Sequence, residues 1–358
     1  MQRRHRVTRL FTAAAVAAGL VATVGIAPAG AQRPEAKELP ATTINGSGAT
    51  FPQGMIDTCR EAFSEVQPNL TVNYPNPGGG SGKGRQEFAD QVTAWGASDA
   101  PYSSTDLTKI KGGPFLYVPY VTAPITVSYN LSSVKKPLKF SPATIAKLFQ
   151  GDITSWDDPA IAADNPGVKL PATKITIAHR SDGSGTTENF TKYLVKAAGS
   201  IWKLGSGATV PWPADSQGGN GNSGVSAIVK GTDGAIGYVD LSDAKATGLT
   251  FGSVQNASGK FVLPSLPAST AALEGVALAA DGLYDPLNSP NPAAYPISAP
   301  TWLLVYQKYS NSSTANAVKA WAEYLVTGCQ KLAKSVDYAP IPKSWAKQTL
   351  SRIEAGVS

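Results

Sequence analysis

The stretch KITIAHRSDGSGTTENF, running from Lys174 to Phe190, constrains the fold more than any other. KITIAH alternates like a strand. A turn of Ser, Asp and Gly follows, and TENFTKYLVKA then sets Phe190, Leu194 and Ala197 at helical spacing. A strand that passes through a glycine-bearing turn straight into a helix is the repeating unit of α/β proteins. INGSGATFP (Ile44 to Pro52) and GGGSGKGR (Gly78 to Arg85) have the same order. WGASDAP (Trp95 to Pro101) is an apolar strand end that carries Asp99. Further strand segments are expected at Leu70–Tyr74, Leu116–Tyr120, Ile125–Asn130, Lys174–Ala178, Ala235–Val239 and Thr301–Tyr306. Ser141-Pro142 opens a helix through Phe149, and Pro52 opens one through Val66. The pattern predicts an α/β fold with long loops over Gly205–Gly224 and Asp281–Pro300.

These turns suit anions. The first turn of a helix carries unpaired N–H groups and the positive end of the helix dipole. Glycine lets the backbone come close, and Ser or Thr adds a hydroxyl donor. In SDGSGTT the amides of Gly185 and Thr186 and the hydroxyls of Ser184 and Thr186 can face one anion. Arg180 can add a charge-assisted contact. For any single turn, a capped helix with nothing bound is the equal alternative.

The rest of the chain narrows the classes. Its 358 residues suffice for two domains. Arg3, Arg4, Arg6 and Arg9 precede an apolar run from Leu10 to about Ala27, and Ala29-Gly30-Ala31 is a small-x-small cleavage site. Residues 1–31 are therefore expected to be a signal peptide and 32–41 a polar leader, in a chain exported to the periplasm, cell surface or medium. No Cys lies near the cleavage site to accept a lipid. The formal charge of +6 comes from 31 basic and 25 acidic residues. Removing the four arginines of the signal leaves 27 against 25, or +2, which argues against a nucleic-acid partner. Export makes a disulfide between Cys59 and Cys329 the expectation, two buried thiols being the alternative. Cys59 is placed on an apolar helix face with Met55, Phe63 and Val66.

Enzyme signatures are incomplete. GGGSGKG has Pro77 where a P-loop needs its first Gly, and Gly84 where it needs Ser or Thr. The G-x-S-x-G elbow fails around Ser47, Ser81 and Ser184. A hydrolase would have to pair Ser184 with His179. No cluster of His, Cys or carboxylates has metal-ligand spacing, and Asp157-Asp158 reads as a solvated turn.

Taken together, GATFP, GSGKG, GASDAP, LFQGDITSWDDPAI, NPGVKLP, ITIAHRSDGSGTTENF, GAIGYV, AYPI and DYAPIP resemble the phosphate-binding proteins of high-affinity phosphate ABC importers. The resemblance runs from about Ile44 to Pro342. It implies a two-lobed periplasmic-binding-protein fold, each lobe a mixed sheet flanked by helices, with a two-strand hinge. Lobe 1 is expected over 42–121 plus 293–358 and lobe 2 over 122–292. The resemblance also implies one phosphate in the interlobe cleft, an ABC permease as partner, a monomer, and no enzymatic activity, cofactor or metal. Carried over by position, the ligand contacts are Thr50, Phe51, Ser81, Asp99, Arg180, Ser184, Gly185 and Thr186, with Asp182 orienting Arg180. Asp99 then sets selectivity. A carboxylate repels an anion unless the anion brings a proton, as hydrogen phosphate does and sulfate does not. A hydrolase built on Ser184, or a carrier of another oxyanion, is the alternative.

Overall fold

The computed structural model describes residues 38–134 and 136–358. The expected signal peptide and the first part of the leader lie outside the described residues. The chain begins with β1 (Thr42–Gly48), α1 (Gln53–Ser64), β2 (Leu70–Asn73), α2 (Gly80–Ala89), β3 (Trp95–Ser98), α3 (Ser104–Leu107) and β4 (Phe115–Tyr129). Its middle holds β5 (Lys139–Phe140), α4 (Pro142–Phe149), α5 (Pro159–Asp164), β6 (Thr176–Arg180), α6 (Gly185–Ala198), β7 (Gln217–Gly219) and α7 (Gly221–Gly231). Then come β8 (Ala235–Asp240), α8 (Leu241–Thr247), β9 (Thr250–Phe251), β10 (Ser253–Gln255), β11 (Phe261–Val262) and α9 (Leu266–Leu273). It closes with β12 (Ser298–Tyr306), α10 (Ser312–Val326), a 3-10 helix (Gly328–Val336), β13 (Ala339–Pro340) and α11 (Lys343–Gly356).

The main sheet runs β2-β1-β3-β12-β4-β8-β6-β7, with β9 and β13 also on β4. β1 lies parallel to β2 and β3, and β6 parallel to β7 and β8. β12 and β4 join these two parallel sets through antiparallel pairings. Residues 115–124 of β4 pair with β12, and residues 125–129 pair with β8. One strand therefore passes from one parallel set to the other. In both sets the turns leave the carboxyl ends of the strands, where open α/β sheets bind ligands.

The sequence reading divides β4 into two strands, Leu116–Tyr120 and Ile125–Asn130. The structure joins them. Every residue of β4 after Phe115 is buried, so it shows no inside–outside alternation by which its continuity could be read. The loop expected over Gly205–Gly224 also ends early, because β7 and the start of α7 fall inside it. β7 carries no apolar pattern, and its pairing with β6 makes it a strand. Ser298–Pro300, expected in a loop, belong to β12.

Local chemistry accounts for several helices. Ser141 caps α4 with its hydroxyl on the N–H of Thr144, and Pro142 stands in the first turn, as predicted. In α1, Met55, Cys59 and Phe63 recur every four residues and are buried. Val66 does not join them. The helix stops at Ser64, and Val66 is 44% exposed. Cys59 and Cys329 form a disulfide with Cα atoms 5.7 Å apart across a sequence separation of 270. No helix among the described residues is long and apolar enough to cross a membrane.

Candidate anion-binding site

β6 delivers Arg180 and α6 opens at Gly185. Ser184 is the N-cap, its Oγ accepting the Thr187 N–H at 3.0 Å. The first-turn amides of Gly185 and Thr186 are left without intrahelical partners by the geometry of a helix start. Thr186 Oγ1 is buried and makes no hydrogen bond among the described residues. Its proton is therefore free to be donated. Arg180 is itself buried, which is costly for a charge unless it is paired. Its Nε donates to Asp182 Oδ1 at 2.7 Å and its Nη2 to Asp182 Oδ2. Asp182 Oδ1 also accepts the Gly221 N–H at 3.1 Å. Asp182 thus holds one edge of the guanidinium.

On the other side, β3 ends at Ser98 and Asp99 follows, 1% exposed. Its Oδ2 accepts from Ser81 Oγ at 3.1 Å and its Oδ1 from Thr301 Oγ1 at 2.7 Å. Its N–H donates back to Ser81 Oγ at 3.1 Å. Its carbonyl accepts Asn189 Nδ2 at 2.6 Å. Burial drives the carboxyl up to about 7, against hydrogen bonds from Thr301 and Ser81 and the charges of Arg180 and Arg85, which pull it down.

Glycines bring the two sides together. A Cβ on Gly185 would stand 2.4 Å from Ser81 Oγ and 2.9 Å from Asp99 Oδ2, so only Gly fits there. A Cβ on Gly80, at φ +88, would stand 2.2 Å from Asp182 Oδ2 and 3.2 Å from Arg180 Nη2. The Gly82 N–H donates to the Gly183 carbonyl at 2.8 Å. Thr50, between β1 and α1, accepts the Asn222 N–H on its Oγ1 at 3.2 Å. Phe51 is buried, and its carbonyl accepts the Tyr338 hydroxyl at 2.7 Å. The expected turns therefore meet: Ser81 and Asp99 touch Gly185, Gly80 abuts Arg180 and Asp182, and Thr50 is tied to α7.

The His179–Ser184 pair does not form. His179 stacks on Trp212 with ring centroids 5.3 Å apart, and its Nδ1 donates to the Arg180 carbonyl at 2.9 Å. Partial burial lowers its pKa, which keeps the ring neutral at pH 7. Ser184 Oγ is turned to its own helix. Asp158 caps α5 on the Ala160 N–H, in keeping with a turn. Among the described residues no group of three or more His, Cys, Asp or Glu is placed to hold a metal ion.

Residues 33–328 match the model of the PBP superfamily domain. The chain is 35% identical to the phosphate-binding protein PstS of Methanocaldococcus jannaschii, over 93% of this chain and 92% of the relative. The chain belongs to this family. It is also 33% identical to phosphate-binding protein PstS 3 of Mycobacterium tuberculosis, over 87% of this chain and 86% of that one. Among solved structures it resembles a high-affinity periplasmic phosphate-binding protein, PfluDING, bound with phosphate. There the TM-score is 0.70 at 21% identity, over 87% of this chain and 93% of that one. The phosphate-binding protein from Stenotrophomonas maltophilia gives a TM-score of 0.67 at 20% identity, over 87% and 94%. This likeness establishes the two-lobed PBP fold.

Four residues packed around these turns escaped the sequence reading: Asn189, Asn222, Tyr238 and Thr301. Asn222 had a signal. QGGNGNSG is a further strand–glycine–helix turn, hidden in a run read as a loop. Tyr238 donates to or accepts from Thr187 Oγ1 at 2.6 Å and supports the turn from behind. Thr301 lies 202 residues from Asp99, and no local pattern announces the contact.

Proposed function

We propose that this chain is an extracytoplasmic carrier that binds inorganic phosphate and presents it to an ABC-type importer. The observation that carries the reading is the buried Asp99 carboxyl, set among donors from two sides of the site. The Ser81 amide in the first turn of α2, the Thr50 and Thr186 hydroxyls, the α6 amides and Arg180 supply N–H and O–H groups, and among these contacts Asp99 supplies the acceptor. A tetrahedral oxyanion with a proton satisfies both kinds of group. Phosphate keeps a proton at neutral pH, whereas sulfate would set a bare oxygen against a carboxyl oxygen. The proposed ligand contacts are Thr50, Phe51, Ser81, Asp99, Arg180, Ser184, Gly185 and Thr186, with Asp182 orienting Arg180.

Lobe 1 comprises 42–121 plus 293–358 and lobe 2 comprises 122–292, so phosphate bridges them and holds the closed form. The permease then reads closure rather than phosphate itself. The protein is exported behind a cleaved signal peptide, is not lipidated there, acts as a monomer, and does no chemistry on its ligand. The separation of His179 from Ser184 supports a carrier over a hydrolase.

Calorimetric titration of the phosphate-stripped protein tests the reading. One-to-one binding of phosphate at micromolar or tighter affinity, with sulfate silent, is expected. Absence of phosphate binding sinks it. Ser184→Ala separates the rival: a hydrolase loses turnover of phosphate esters, while a carrier only binds phosphate more weakly.

A further inference from the structure

Asn222 touches both sides of the site, although no ligand contact was assigned to it. It is the second residue of α7 and is fully buried. Its backbone N–H donates to Thr50 Oγ1 at 3.2 Å. Its side-chain Oδ1 accepts from Arg180 Nη1 at 3.1 Å, and its Nδ2 donates to Asp240 Oδ2 at 2.8 Å. Chemistry fixes this orientation of the amide. A guanidinium has only donors, so it meets Oδ1, and Nδ2 is left for the carboxyl oxygen. Asp240 is anchored in turn at the end of β8, its Oδ1 accepting the Asp243 N–H at 3.0 Å.

Two consequences follow from counting donors. Of the five N–H groups of a guanidinium, two of Arg180's go to Asp182 and one goes to Asn222. Two remain, one on each Nη. Asp182 grips one edge, and Asn222 pins the other end. Thr50 Oγ1, once it accepts from Asn222, keeps its own proton free to give to an anion.

We propose that Asn222 is a positioning residue whose side-chain amide presents Arg180 to the bound anion, on a turn that its backbone N–H ties to Thr50. This rests on the phosphate-carrier reading and adds to it a residue that acts through others. Its side chain sets how far the arginine's two free N–H groups converge, while its backbone N–H meets Thr50 where α7 reaches the turn after β1.

The test is a double-mutant cycle on the whole exported chain, read by calorimetry with inorganic phosphate. Asn222→Ala keeps the backbone bond to Thr50 and removes both side-chain bonds. It is expected to weaken phosphate by about 30-fold, the scale of one hydrogen bond to a charged group. Combined with Arg180→Lys, it should add little further loss, because its effect runs through the guanidinium. Asn222→Ser replaces Ala should the latter fail to fold, and the same criteria apply. Ligand-free melting temperature is recorded throughout. An Asn222 variant that melts earlier yet binds phosphate within about twofold of the parent overturns the proposal, since one lost charged hydrogen bond costs more than that. Full additivity with Arg180→Lys overturns it too. A parent protein silent to phosphate overturns the carrier reading itself, and this inference with it.

Discussion

The Arg180 side and the Asp99 side of the site each bury a charged residue, and they neutralise it differently. Arg180 is met by a full opposite charge, Asp182, on two of its nitrogens. Asp99 accepts from the hydroxyls of Ser81 and Thr301, and Arg180 and Arg85 act on it without forming an ion pair. Desolvation therefore wins at Asp99 and lifts its carboxyl to about 7. The arginine's charge is largely cancelled before a ligand arrives. Affinity must then come from donors held in place, and selectivity from Asp99 in its ionised form, an acceptor that tolerates only a protonated guest.

Arg180→Ala should have the largest effect. It removes the one charged donor among the proposed contacts and strands Asp182, so phosphate binding should weaken by about 3 to 4 kcal/mol in calorimetry. A loss below about 1 kcal/mol, the scale of one neutral hydrogen bond, would mean that the helix amides carry the affinity alone.

Next comes the pH dependence of ligand-free stability. The folded pKa of Asp99 is raised from 3.8 to about 7, so the native state holds a proton that the unfolded chain has released across that window. Stability should fall as pH rises through the window and level off above about 7. Asp99→Asn should remove on the order of 2 to 4 kcal/mol of that pH-dependent change, read in denaturant titrations at several pH values. Equal slopes in the two proteins would show Asp99 to be ionised and solvated after all.

Asp99→Asn should also admit sulfate. The amide can turn a donor toward an unprotonated oxygen, and the phosphate-to-sulfate preference should shrink by about 2 kcal/mol. An unchanged preference would move selectivity to another residue. The smallest effect expected is that of Thr186→Val. It removes an unpaired buried hydroxyl, which should slightly stabilise the ligand-free protein and cost phosphate about 1 kcal/mol. Equal affinity would show that this hydroxyl does not face the ligand.

Much of the site is legible in the chain because each turn carries its own chemistry. Arg180, Asp182, Ser184, Gly185 and Thr186 lie within seven residues, and the strand before them and the helix after them are both patterned. Cys59 reads correctly for the same reason, as one position on a four-residue repeat. β4 does not read correctly, because a strand buried on both faces has no alternation to display. β7 fails because a three-residue strand of Gln and Gly is defined by its neighbour and not by its own residues.

The amino-acid sequence by itself determined the local units: which turns carry hydroxyls and glycines, which helices are capped and where, and which turn carries an acid at a strand end. These follow from backbone and side-chain preferences acting over a few residues. Only the tertiary structure decided how the units meet. Thr301 reaches Asp99 across 202 residues and Asn189 across 90, because β12 and α6 are packed against the end of β3. Asn222 joins Thr50 across 172 residues. Such pairings are chosen by the burial of whole strands and helices, and the environment that moves the Asp99 carboxyl toward neutrality exists only once they have formed.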